Sequence, residues 1–149
     1  MSLAALTAAA LLAGLAPPTQ APQTFPTPPQ VLPAPATAGR CRPDPEAAAT
    51  PEAVARRFND LGFLQDREAM ADLLTPGSAF HNVHDDLRLS DEDFLVLLGV
   101  GRAGRTEILE TVTSGSTAVL RTATAYGGEI LLAVQTDGGC VTGVTSFYD

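Results

Sequence analysis

The sequence predicts an α+β domain: three N-terminal helices packed on a curved antiparallel β-sheet, preceded by a disordered proline-rich segment. Three observations predict it. Helix-start signals and one-sided apolar stripes crowd residues 50–98. From Thr106 the texture changes to strand-length segments of Val, Ile, Leu and Thr, separated by glycine-bearing turns. Every Asp, Glu and Arg lies from Arg40 onward, which splits an uncharged leader from an acidic body. Helices followed by an antiparallel meander form an α+β layout, and 149 residues allow one such domain with a tail.

The leader comes first. Ser2 to Ala16 is an apolar run of Leu, Ala and Gly, too short for a bilayer span, which needs ~20 residues. It suits the h-region of a signal peptide over residues 1–21, although the n-region has no Lys or Arg and each small-residue cleavage candidate precedes a proline. An Ala-rich tail of a cytoplasmic protein would share this composition; export to the periplasm or medium is the reading taken. Residues 22–49 follow as a linker in which proline removes backbone donors and fixes φ, so disorder is expected. No basic residue flanks its prolines before Arg40, which makes it a spacer rather than a recognition peptide.

The body, residues 50–149, is read element by element. Thr50-Pro51-Glu52 is a helix start, with a hydroxyl cap, proline in the first turn and an acid beside it. Val54, Phe58 and Leu61 form its apolar stripe, and Gly62 is expected to end it. Asp66 caps a second helix with Ala69, Met70, Leu73 and Leu74 facing inward; Thr75-Pro76-Gly77 stops it. Ala79 to Val83 is a short extended piece. Ser90-Asp91-Glu92-Asp93 has the spacing of a capping box ahead of Phe94–Leu98, so a third helix is chosen over a buried strand. Thr106–Thr113, Thr117–Tyr126, Glu129–Thr136 and Cys140–Tyr148 are the strands. Parallel neighbours in the sheet, or a helical Thr106–Thr113, would contradict this layout.

Charge excludes some functions. A formal net charge of −8, with every basic residue an arginine, opposes nucleic-acid binding and docking on anionic lipid. Cys41 and Cys140 cannot make a zinc site alone; in an oxidising compartment they can pair. Closing a loop of about 100 residues would add up to ~4.7 kcal/mol in the chain-entropy account. Two free cysteines are the alternative. Gly99-Val100-Gly101-Arg102-Ala103-Gly104 matches a dinucleotide pattern, but that mechanism needs a strand before and a helix after, the reverse of the order here. No cofactor is expected.

Val54-Ala55-Arg56-Arg57-Phe58, Asp66-Arg67-Glu68-Ala69-Met70-Ala71-Asp72-Leu73-Leu74, Ala79-Phe80-His81-Asn82 and Leu89-Ser90-Asp91-Glu92-Asp93-Phe94-Leu95 follow one another in order. That order resembles the nuclear transport factor 2-like superfamily over residues 50–149. This is the cone-shaped fold of ketosteroid isomerases and SnoaL-like polyketide cyclases. The resemblance implies a pocket inside a cone and, often, a homodimer through the sheet face. It also implies where isomerase chemistry would sit. The hydroxyl position falls on Phe58 and the carboxylate position on Asn82, and neither side chain can do that chemistry near neutral pH.

The segment His81-Asn82-Val83-His84-Asp85-Asp86 holds both histidines of the chain. On a strand His81 and His84 would face opposite ways, so no metal site is assigned. Acid–base use of His81 with Asp85 is the catalytic candidate. Phe58, Phe80, Asn82, Tyr126 and Phe147 are the candidate ligand-binding residues. Alternation sends Phe147 and Tyr148 to opposite faces. The first expectation is a non-catalytic module with a pocket for a small apolar molecule or a dimerising role. The second is an isomerase, cyclase or dehydratase using the His–acid pair.

Overall fold

The computed structural model describes residues 36–98, 106–125 and 127–148. Helix α1 (Pro51–Leu64) starts as its sequence dictates: Thr50 Oγ1 accepts from the Ala53 amide, and Pro51 fills the first turn. Its buried stripe is Val54, Ala55, Phe58 and Leu61. Gly62 does not end it. The helix runs on to Leu64, and Gln65, at φ 54°, takes the left-handed capping place. Helix α2 (Arg67–Leu73) is capped by Asp66, whose side chain accepts from Ala69 N at 3.0 Å.

Strand β1 (Leu74–Asn82) is longer than the expected extended piece. Thr75-Pro76-Gly77 does not separate it from α2; it lies within the strand, where the register shifts between Leu74 and Ala79 and Gly77 takes φ 77°. A second strand that the sequence did not suggest, β2 (Leu87–Ser90), pairs back on β1. Helix α3 (Asp91–Leu98) follows at once. Ser90 Oγ accepts from Asp93 N at 3.1 Å and donates to Asp93 Oδ2 at 2.8 Å, so the Ser-x-x-acid spacing does cap it.

The remaining strands are β3 (Glu107–Ser114), β4 (Thr117–Ala123), β5 (Glu129–Asp137) and β6 (Cys140–Tyr148). The six-stranded sheet has the order β2-β1-β6-β5-β4-β3. It is not wholly antiparallel. β1 and β6 run the same way, with Phe80 beside Val144 and Asn82 beside Ser146. No hairpin joins these two strands, so no turn forces reversal; β6 meets β1 only after β2, α3 and the meander. The sheet is mixed, and the layers hold: α1 lies across β3–β6 and α3 against β1 and β2.

The buried core joins the α1 stripe and Met70, Leu73, Leu74 and Leu95 to Phe80, Leu120, Val134, Val141 and Val144 of the sheet. Thr122 and Thr136 are both buried, and their hydroxyls donate to the carbonyls of Ile130 and Ser116.

The expected signal segment, residues 1–21, lies outside the described residues, as does the linker up to residue 35. From Ala36 on, the chain is tied down rather than free. The amides of Arg40, Cys41 and Arg42 donate to the carbonyls of Ala71, Leu74 and Asp72 at 2.7–2.8 Å. Gly39 N donates to the buried Asp91 carboxylate at 2.7 Å. A Cβ on Gly39 would stand 2.7 Å from the Thr75 carbonyl oxygen, so only glycine lets the strap lie this close. Arg40 pairs with Asp72 at 2.7 Å and Glu68 at 3.0 Å. The Ala36 amide and Arg40 together hold the Glu68 carboxyl below its ordinary value. Cys41 and Cys140 are disulfide-bonded, with Cα atoms 5.7 Å apart, which fastens the strap to the first residue of β6.

Breaking this bond with Cys41→Ser should lower the unfolding free energy by about 2–4 kcal/mol. Urea melts with and without reductant measure it; reductant should bring the parent protein to the variant's midpoint and leave the variant unchanged. A loss below about 0.5 kcal/mol would mean that the strap's hydrogen bonds suffice alone.

Candidate functional site

Between α1, α3 and the inner face of the sheet lies a cavity of about 610 Å³. Its size falls in the range of small-molecule sites. Strand alternation builds the wall. In the cross-strand row Leu120–Leu132–Ser146–Asn82 and the next row Val134–Val144–Phe80, side chains share the inner face. Three aromatic rings pack beside them. Phe80 and Phe94 stack with centroids 4.0 Å apart and planes 4° from parallel. Phe58 lies 5.7 Å from Phe94 and 6.2 Å from Phe80, tilted by about 20°. The exposed members Phe63, Leu87, Leu97 and Tyr148 rim the opening.

Gly62 borders this space, and a Cβ added there would meet nothing within 4 Å. Its missing side chain leaves room that a larger residue on the same face of α1 would occupy. Among the described lining residues there is no Asp, Glu, Lys or Arg. Asn59, Thr106, Thr124, Ser146 and Asn82 supply the polar atoms, with Gln65 and Tyr148 toward solvent.

The sequence candidates divide. Phe58, Phe80 and Asn82 line the cavity. Tyr126 lies outside the described residues. Phe147 does not line it. It faces the opposite side of the sheet beside Leu131, and Tyr148 takes the cavity-facing place. His81 borders the rim, yet alternation sets its side chain on the outer face, in the row of Thr145 and Arg88. Its imidazole is 30% exposed and stands 3.4 Å from Asp86, which is itself 86% exposed. Asp85 is not its partner. The Asp85 carboxylate accepts from Asn82 Nδ2 at 2.7 Å, and Asn82 Oδ1 accepts from His84 N, so both close the turn between β1 and β2. His81 and Asp85 are therefore not brought together inside the cavity.

No group of three or more His, Cys, Asp or Glu that could hold a metal occurs among the described residues. The glycine pattern at residues 99–104 lies outside them; α3 precedes it and β3 follows, the reverse of a dinucleotide site. Asn59 and Leu132 were not singled out by sequence. The signal was present for Leu132, which alternates with Leu131 on a strand, but Asn59 sits one residue off the apolar stripe and reads as solvent-facing.

On the outer face Val112, Leu131 and Phe147 are exposed. Arg121, in the row of Leu131, bonds Glu129 and Glu110, and these carboxylates raise its pKa further.

No protein-family model and no curated protein matches the sequence. Solved structures do match. A SnoaL-like protein of unknown function from Burkholderia thailandensis is 14% identical, with 71% of this chain and 99% of that chain covered at a TM-score of 0.60. A ketosteroid isomerase-like protein from Kribbella flavida is 18% identical over 66% and 77%, at 0.59. An LEH-like epoxide hydrolase from M. tuberculosis is 14% identical over 70% and 86%, at 0.57. The chain has the nuclear transport factor 2-like fold that such proteins share.

Proposed function

We propose that the protein is an exported, non-catalytic binding module that holds a small, neutral, apolar molecule in the cavity. The observation that carries this reading is the lining: stacked aromatic rings and aliphatic side chains, without a charged side chain among the described residues. A charged ligand would lose its water there without gaining a partner. Acid–base chemistry would need a proton-transfer group within hydrogen-bond reach of the bound molecule, and His81 faces away. The fold neighbours include an isomerase-like protein and an epoxide hydrolase, so the fold alone does not choose between binding and catalysis.

Export is supported by the apolar leader and by the Cys41–Cys140 bond, which persists in oxidising compartments. No helix among the described residues is long and apolar enough to cross a membrane. Self-association belongs to the same proposal: the open Val112, Leu131 and Phe147 face is where a second copy would pack.

A titration with the neutral dye Nile red tests the cavity. The wild-type protein should bind with enhanced fluorescence, Ser146→Trp should weaken binding by about tenfold by filling the space, and His81→Ala should leave it within about twofold. Binding unchanged by Ser146→Trp would place the dye elsewhere. Loss of binding or of any turnover in His81→Ala would favour the enzyme reading. Mass spectrometry of the exported protein tests the rest. It should give a chain shortened near residue 21, no alkylatable thiol before reduction, and a dimer under native conditions. A full-length mass with two free thiols would refute export.

A further inference from the structure

We propose that Asn59 is the polar anchor of the cavity, and that its ligand is a neutral molecule whose apolar body carries a hydrogen-bond-acceptor oxygen such as a carbonyl. The inference rests on the reading of the cavity as a ligand site. Asn59 follows Phe58 on α1, lines the cavity and is only 8% exposed. Its Oδ1 accepts from the Thr106 hydroxyl at 2.9 Å. Its Nδ2 has no partner among the described residues, although an amide NH₂ carries two donors. Nδ2 is not among the sealed side-chain atoms that lack a partner, which are Arg67 Nε and Ser78 Oγ among the described residues, so it opens onto accessible space. The Thr106 bond holds the oxygen to one side and leaves the donor for the cavity.

The other polar side chains of the described lining are all less buried than Asn59. Asn82 turns its amide to the β1–β2 turn, where Nδ2 donates to Asp85 and Oδ1 accepts from His84 N. The Thr124 hydroxyl accepts from Gly128 N at 3.1 Å. Ser146 and Tyr148 stand toward the open end of β6. Asn59 is thus the deep donor beside the aromatic stack, and it is a donor rather than a charge. It selects an oxygen acceptor on an uncharged ligand, because a ligand without one would leave the amide unpaired.

Two probes of matched shape separate the anchor from the cavity: 2-acetylnaphthalene, and 2-isopropylnaphthalene, in which a methyl group replaces the oxygen. Dissociation constants are measured by displacement of Nile red for the wild-type protein, Asn59→Leu and Thr106→Val. Asn59→Leu should weaken 2-acetylnaphthalene by roughly fivefold to tenfold while 2-isopropylnaphthalene stays within about twofold, the size of one neutral hydrogen bond. Thr106→Val should weaken only the ketone, by about threefold, and carries the test if Asn59→Leu fails to fold. Equal changes for both probes, or an unchanged ketone affinity, would overturn the anchor and leave the cavity reading standing. Failure of the wild-type protein to bind either probe would overturn both.

Discussion

The inner face of the sheet is apolar along most of its length, and the helices do not cover all of it. Leu120, Val134 and Val144 need a cover, and α1 brings Val54, Ala55, Phe58 and Leu61 down onto them. Past Phe58 the helix offers Asn59 and Gly62, a small amide and no side chain at all. Glycine inside a helix costs about 1 kcal/mol relative to alanine, so the space it leaves is bought at some expense to the helix. The Phe58–Phe80–Phe94 stack fills one side of the gap and joins α1, β1 and α3. What remains is a hollow with apolar walls.

The opposite end of the molecule is closed by different means. β1 and β6 both begin there, at Leu74 and Cys140, and the strap from Ala36 lies over them. Backbone hydrogen bonds, the buried Asp91 carboxylate, the Arg40 ion pairs and one disulfide hold it, and Ala36 packs against the core. Because β1 and β6 are parallel, both arrive at the cavity together at Asn82 and Ser146. The strap therefore lies at one end of the domain and the cavity opens at the other. In the acidic turn after β1 the Asp85 carboxylate accepts from Asn82, which lines the cavity.

Much of this was legible in the residues. The caps at Thr50, Asp66 and Ser90 form as their spacing dictates, because a short side chain that meets a free helix amide is a local matter. The four later strands were legible from alternation and their glycine turns. Non-local features were not. The parallel direction of β1 beside β6 depends on a crossover that no turn encodes. The strap at residues 36–42 reads as linker by composition, and only its partners in α2, β1 and α3 order it. Gly62 reads as a helix stop because glycine usually is one, yet here tertiary packing continues the helix and uses the empty position. Within the site, alternation separated Phe147 from Tyr148 but could not say which side was the hollow. His81 and Asp85 are close in sequence, but the turn takes Asp85 to Asn82.

The account stands on the hollow being a place where an uncharged molecule resides. Methyl NMR chemical shifts of the protein titrated with 2-isopropylnaphthalene test this most directly. The account predicts that Ile130, Leu132 and Val144 move together and saturate, while Val112 and Leu131 on the outer face stay still. Shifts confined to Val112 and Leu131 would contradict it.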